Sequence, residues 1–283
     1  MKVIVHGGAG GAPDEPGPRQ DTLDEAAAAG ADADTPVDAV EDAVRVLEAD
    51  ARFNAGRGGA VQSDGVVRTD AGVMTSDRET GAATSMPGVE HAVTVARHVM
   101  TDTPHIQLAG VHAVDFAADV GVETECDLWT EQSKARWDDL DTHPEGTPLD
   151  HVEWLEEKFG GHDTVGAVAF DGDDFAVATS TGGRWLALAG RVGDVPQVGS
   201  GFYASPAGAA SATGAGEDIA KTTLTRRAVR HLESGHDAQD AARLAVEEFA
   251  ELTGSTAGVI VLDADGNAGE AFNAEAMQTA VDE

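Results

Sequence analysis

Thr164-Val165-Gly166-Ala167-Val168-Ala169-Phe170 and Phe175-Ala176-Val177-Ala178-Thr179, joined by Gly172-Asp173-Asp174, form the stretch that decides the fold. Two short apolar runs separated by an acidic, glycine-bearing turn predict two adjacent strands, at 164–170 and 175–179. Just upstream, residues 123–163 hold most of the tryptophans and many acids, with Pro144 and Pro148 among them. That texture predicts a weakly structured, mobile connector with one helix at 150–158. Thr164 therefore stands where a connector meets a buried strand. Downstream come Thr179-Ser180-Thr181-Gly182-Gly183, then Gly190-Arg191-Val192-Gly193-Asp194, then Ser211-Ala212-Thr213-Gly214-Ala215-Gly216-Glu217 before a helix.

Working outward, Val3–Val5 reads as a buried strand that feeds a turn at Gly7, Gly8, Gly10 and Gly11, where the backbone can take unusual angles. Residues 36–50 have helical spacing, with Val37, Val40, Val44 and Leu47 on one face and Pro36 in the first turn. Residues 61–75 suggest a hairpin around Asp64-Gly65. Helices are expected at 88–100 and 109–120, then at 216–233 and 237–252, separated by Gly235. A strand at 257–263 and a turn at Asp265-Gly266 lead into the C-terminal segment. No internal repeat is present. This order fits an α+β fold, with antiparallel strands layered between helices, better than a doubly wound parallel sheet.

The composition excludes several partners. Asp and Glu number 51 against 18 for Lys and Arg, a formal net charge of −33 with only four lysines. Such a surface repels nucleic acid and anionic lipid, whose phosphates need clustered cations. It also repels itself, and molar salt, with a Debye length of about 3 Å, screens that repulsion. A high-salt cytoplasm is the expected setting. Cys126 is the one cysteine, so no intrachain disulfide or thiolate metal cluster is available. The apolar start is too short for a signal peptide, and no stretch approaches a membrane span. The ten histidines form no convincing metal set: His91 and His98, and His105 and His112, are spaced by seven without carboxylate partners.

An internal threonine is a weak nucleophile. At a new chain N-terminus it carries its own base, a free α-amine with an intrinsic pKa near 7.7–8.0. That chemistry demands scission between Asp163 and Thr164. Arg191 offers a planar fork for a carboxylate and Asp194 an acceptor for an ammonium, so the two together suit the ends of an α-amino acid. A mutual surface ion pair is the plainer alternative. The Gly7–Gly11 segment invites a phosphate-loop reading but lacks Gly-Lys-Ser/Thr and the third glycine of a dinucleotide fingerprint.

Ordered matches along nearly the whole chain resemble the plant-type L-asparaginase/isoaspartyl peptidase family of N-terminal nucleophile hydrolases. They are His6-Gly7-Gly8-Ala9-Gly10, Leu47-Glu48, Phe53-Asn54-Ala55-Gly56, Asp70-Ala71 with Val73-Met74, Thr164–Ala169, Ser180–Gly183, Gly190–Asp194 and Ala212-Thr213-Gly214. The resemblance implies a four-layer αββα sandwich formed by one hydrolase domain over 1–283. It implies self-cleavage into an α chain (1–163) and a β chain (164–283), and a homodimer of αβ units. It implies Thr164 as nucleophile, assisted by Thr181 and positioned by Asn54. Thr213 and the Gly214 amide would hold the oxyanion. Arg191 would bind the substrate α-carboxylate, and Asp194 with the Gly216 carbonyl its α-amine.

The same resemblance implies a sodium-holding loop of main-chain carbonyls from Leu47, Glu48, Phe53, Ala55 and Arg57, and no cofactor for catalysis. The substrates would be asparagine or β-aspartyl peptides. Two departures stand out. The family usually has Gly before the nucleophile, whereas His162-Asp163-Thr164 is similar to the sister glycosylasparaginases, which remove N-acetylglucosamine from asparagine. Arg184-Trp185 also replaces smaller or amide-bearing residues. The rival readings are glycosylasparaginase activity, a nucleotide-binding protein using Gly7–Gly11, and a non-catalytic acidic binding module.

Overall fold

Alternation along the strands builds the architecture. In the computed structural model, which describes residues 1–156 and 164–283, the chain opens with β1 (Lys2–Gly10), α1 (Pro16–Ala31), α2 (Pro36–Ala49), β2 (Arg68–Thr75) and β3 (Thr80–Pro87). Then come α3 (Ala92–Asp102), β4 (Gln107–Ala109), α4 (Val111–Asp119), α5 (Glu131–Asp138) and α6 (Pro148–Glu156). The second half runs β5 (Val165–Phe170), β6 (Phe175–Thr181), β7 (Phe202–Ser205) and β8 (Gly208–Gly214). It ends with α7 (Gly216–Thr222), α8 (Leu224–Glu233), α9 (Ala238–Thr253), β9 (Ala257–Asp263), β10 (Ala268–Phe272) and β11 (Ala276–Asp282).

The strands form a seven-stranded sheet, β11-β1-β5-β6-β2-β3-β4, and a four-stranded sheet, β10-β9-β8-β7. All pairings between these strands are antiparallel except β3 with β4. Period-two alternation sorts each strand between two cores. On the large sheet Val3, Val5, Ala71, Val73, Val165, Ala167 and Ala169 pack with Leu23, Val40, Val44 and Val93 of the covering helices. The opposite faces meet between the sheets, where Ile4, Val168, Phe175, Val177, Phe202, Ile260 and Leu262 gather. Val259 and Val261 face out from the small sheet onto Ala228, Val229 and Phe249. Helices, sheet, sheet and helices make the αββα sandwich. Gly72 shows how closely the sheets approach, because a Cβ there would lie 2.0 Å from the Phe202 ring.

Several elements differ from expectation. The strand at Val3–Val5 does not stop at the glycines. It continues to Gly10, with a register shift between His6 and Ala9 where Gly8 takes φ +115°. No helix follows directly, since α1 begins only at Pro16, so this is not the strand–loop–helix of a phosphate cradle. The hairpin at Asp64-Gly65 is reduced to one bridge, Val61 to Val67, and the full hairpin is β2–β3. The helix at 216–233 is two helices, broken at Thr223 with φ +53°. The connector is more structured than its composition suggests. It holds α5, closed by a Thr130–Ser133 capping box, and α6. Leu128 and Leu155 join Val61, Val67, Trp185 and Leu186 in a small apolar cluster. His162, Asp163 and the end of the helix expected at 150–158 lie outside the described residues.

Candidate active site

The strand registers bring the hydroxyls together. Val165 pairs with Ser180 across β5 and β6, so the next residues in line, Thr164 and Thr181, meet at one end of the ladder. Thr164 is 5% exposed and Thr181 3%, and alternation puts both on the face toward the second sheet. Thr213 comes from that second sheet at the same level. Its Oγ1 accepts from the Ala9 amide at 3.2 Å, which ties β8 to the glycine-rich end of β1. Gly214 follows with φ +134°, and a Cβ there would lie 2.5 Å from the Thr256 carbonyl. Only glycine fits that turn.

Asn54 is pinned from both ends of its amide. Its Nδ2 donates to the Gly183 carbonyl at 2.7 Å, and its Oδ1 accepts from the Ala60 amide at 2.9 Å. Its own carbonyl accepts from Gly182. Asn54 is thus locked onto the strand end that carries Thr181, Gly182 and Gly183.

Beneath these groups runs a buried polar chain. Thr179 Oγ1 donates to the Gly201 carbonyl at 3.1 Å and lies 2.8 Å from Ser211 Oγ, which lies 2.8 Å from His6 Nε2. One proton per hydroxyl orients it: His6 Nε2–H to Ser211, Ser211 to Thr179, Thr179 to Gly201. Burial drops the His6 pKa to about 3 against a weaker upward pull from the Thr164 main chain, so the imidazole is neutral and the chain carries no charge. His6 pairs across the ladder with Gly166. A Cβ on Gly166 would sit 2.0 Å from Ser211 Oγ and 2.5 Å from His6 Nε2. Gly166→Ala should therefore displace Ser211 and lower stability by about 2–4 kcal/mol through overpacking and a broken buried hydrogen bond. The measurement is a thermal melt, where a drop of roughly 5–10 °C is expected. An unchanged melting temperature would mean that the chain does not hold the sheets together.

The mutual ion pair between Arg191 and Asp194 does not form. Arg191 Nε and Nη2 hold Glu217 Oε1 at 2.8 and 2.7 Å. Arg184 approaches the other Glu217 oxygen at 3.5 Å. Desolvation raises the Glu217 carboxyl, but the Arg191 charge and hydrogen bond, with help from Arg184, outweigh it and leave the group below its usual range. Asp194 is 4% exposed, and its Oδ2 has no hydrogen-bond partner among the described residues. Desolvation pushes it up to about 7, against the pull of Arg191. A buried carboxyl with an open oxygen is the acceptor that an ammonium would satisfy. Gly216 closes the cluster, for a Cβ there would lie 2.6 Å from Asp194 Oδ1 and 2.8 Å from Arg191 Nη2.

Sequence reasoning missed Glu217, which is visible only as one acid among many after Gly216. It also missed Asp70, paired in register with Thr181. Asp70 accepts from the Ser85 amide at 2.7 Å. Its pKa is raised to about 7 by desolvation, with the Arg191 charge again opposing.

The carbonyl loop closes tightly. A Cβ on Gly56 would lie 2.2 Å from the Glu48 carbonyl oxygen, and one on Gly58 would lie 1.9 Å from that of Phe53. Leu47 and Ala55 carbonyls already accept from Asp50 and Gly58 amides, with a second lone pair free on each. Neutral oxygens from Leu47, Glu48, Phe53, Ala55 and Arg57 suit a hard cation such as sodium. The Glu48 side chain is engaged elsewhere, accepting from Ser180 Oγ at 2.6 Å and the Val93 amide at 3.0 Å. Among the described residues no three His, Cys, Asp or Glu side chains gather as a metal site.

Two helix-covered sheets with a threonine at the head of a central strand are the layout of the N-terminal nucleophile hydrolases. Sequence comparison narrows the class. The profile of the asparaginase family matches residues 1–283, and the chain belongs to that family. It is 39% identical over 292 residues to the plant-type L-asparaginase of Pyrococcus abyssi, covering 99% of this chain and 95% of the relative. It is 40% identical to the plant-type L-asparaginase of Pyrococcus furiosus, over 86% of this chain and 82% of the relative. The isoaspartyl peptidase/L-asparaginase of Danio rerio is 39% identical, over 98% of this chain and 91% of the relative.

Proposed function

We propose that this chain is a threonine amidohydrolase that cleaves itself before Thr164 and releases L-aspartate from asparagine and β-aspartyl peptides. The observation that carries the reading is the register that sets Thr164 opposite Thr181 at one strand end, where Asp70 pairs with Thr181 and feels the Arg191 charge. The relatives' names, L-asparaginase and isoaspartyl peptidase, support the substrate class.

In maturation the Thr164 hydroxyl attacks the Asp163 carbonyl carbon. The amide nitrogen leaves as the new α-amine, and water hydrolyses the resulting ester. The α chain is then 1–163 and the β chain 164–283. In turnover the freed amine takes the Thr164 hydroxyl proton as the oxygen attacks the substrate side-chain carbonyl. Thr213 and the Gly214 amide stabilise the oxyanion, each such donor contributing about 2.7–4 kcal/mol. Ammonia or a peptide amine leaves with the proton, and water then frees aspartate from the acyl-enzyme. Thr181 and Asn54 hold Thr164 in line. Arg191 takes the α-carboxylate, Asp194 and the Gly216 carbonyl the α-amine. The main-chain carbonyls of Leu47, Glu48, Phe53, Ala55 and Arg57 would hold a sodium ion, whose charge would tie down the segment that carries Asn54.

Product analysis on asparagine, β-Asp-Leu and GlcNAc-Asn tests the reading. Aspartate from the first two is expected, and turnover of GlcNAc-Asn alone would move the enzyme to the glycosylasparaginase branch. A homodimer of αβ units belongs to the same proposal and is checked by light scattering.

A cytoplasmic, high-salt setting is the second part of the proposal, supported by the −33 charge. No helix among the described residues is long and apolar enough to cross a membrane. Melting temperature and activity should rise from roughly 0.1 to 3 M KCl as self-repulsion is screened. A flat melting temperature over that range would remove the salt requirement.

A further inference from the structure

A cavity of about 420 Å³ opens beside the Asn54 end of the proposed site, lined by Gly10, Asn54, Thr130, Gln132, Arg136 and Trp185 among others. The Arg191–Asp194–Gly216 cluster lines none of it. Trp185 is 6% exposed and packed with Val61, Val67 and Leu186, so its ring is a fixed platform. The Arg136 guanidinium lies over that ring, 4.2 Å from the centroid. Its helix is anchored next door, where Trp137 meets Trp129 edge-on at 5.9 Å.

Arg136 differs from most arginines of this protein. With 51 acids against 18 bases, an arginine finds a carboxylate easily. Arg57, Arg68, Arg97, Arg184 and Arg191 each have one within 4 Å. Among the described residues Arg136 has no ion pair and no hydrogen bond, although it is exposed enough to form either. The only influence on its pKa is desolvation, which lowers it. A cation stacked on an aromatic face keeps its in-plane N–H fork free for an anion.

We propose that Arg136, stacked on Trp185, determines leaving-group specificity by receiving the free α-carboxylate of the amino acid released from a β-aspartyl dipeptide. The inference rests on the function proposed above. With the aspartyl end held at Arg191 and Asp194, the leaving group passes into the Asn54-lined cavity. Gly59 and Ala60 of the cavity lining lie against Gly182, one residue past Thr181, so a carboxylate two carbons from the scissile nitrogen extends from there toward the Arg136 fork. Asparagine releases ammonia, which carries no such group, and a C-terminal amide removes the charge.

The test compares kcat/KM on asparagine, β-Asp-Leu and β-Asp-Leu amide for the wild type and Arg136→Met, which keeps an apolar stem over Trp185. Values are scaled to the cleaved fraction on a gel. The wild type should prefer the dipeptide acid over its amide. In Arg136→Met the ratio of β-Asp-Leu to asparagine should fall about tenfold and the acid-over-amide preference should vanish. Arg136→Lys should restore part of both. An equal loss on all three substrates would make Arg136 a structural clamp for α5 and overturn the proposal, as would an unchanged ratio. A wild type that hydrolyses none of the three would instead sink the functional reading, and this inference with it.

Discussion

Thr164→Ala should remain one uncut chain of 283 residues with no measurable turnover. Two losses coincide in this variant. No hydroxyl is left to attack the Asp163 carbonyl, so no new N-terminus forms. No nucleophile remains for the substrate either. Removing a nucleophile that acts as a unit with its base costs roughly 10⁴- to 10⁶-fold in kcat. The fold should survive, because Thr164 precedes β5 and alanine keeps its main chain and Cβ while removing only the hydroxyl and one methyl. The check is a denaturing gel with an aspartate-release assay and a melting curve. Thr164→Ser should cut more slowly and keep some activity. A cleaved, active Thr164→Ala protein would place the nucleophile elsewhere.

Arg191→Lys should lose about 30- to 1000-fold in kcat/KM on β-Asp-Leu, or about 2–4 kcal/mol of transition-state binding. The argument is geometric. Arg191 reaches Glu217 Oε1 through both Nε and Nη2, which fixes the plane of the guanidinium and aims its remaining N–H groups. An ammonium has no plane to fix. Lysine can still pair with Glu217, so folding and self-cleavage should be largely spared. Steady-state kinetics with a gel on the same sample separate these effects. Wild-type kinetics would make Arg191 a partner of Glu217 only, and the α-carboxylate would bind elsewhere.

The sequence made some parts of this molecule legible and hid others for physical reasons. The strands β5, β6 and β9 are short apolar runs bounded by turn residues, and α2 and α9 show a clean 3.6-residue period. Those patterns need no tertiary knowledge. Strand β8 is hidden by its residue types. Gly208-Ala209-Ala210-Ser211-Ala212-Thr213-Gly214 is buried at every position, as β5, β6 and β9 are, but it lacks their valine, isoleucine and phenylalanine. Small residues there look like loop. The break at Thr223 carries no glycine or proline, and the strand through Gly7–Gly10 carries too many glycines. The α5 cap uses Ser133 where a Glu or Gln is usually sought.

The proposed site is drawn from ordered motifs rather than from any single pattern. Thr164, Thr181, Thr213 and Asn54 stand far apart in the chain, while Arg191 and Asp194 are three residues apart. Strand register brings the first two together, and Gly216 marks the meeting of the last two. Glu217 and Arg136 could not be picked out beforehand. Each is defined by a contact, one with Arg191 and one with Trp185, that only the folded chain creates.

Every step of the proposed mechanism depends on a free amine at Thr164. N-terminal sequencing of the bands from purified, denatured protein, with intact mass of each, measures that directly. Two chains are predicted, one beginning at Met1 and ending at Asp163, the other beginning at Thr164, with activity proportional to the cleaved fraction. A single uncut chain that hydrolyses β-Asp-Leu at full rate, or a pair of chains cut anywhere else, would contradict it.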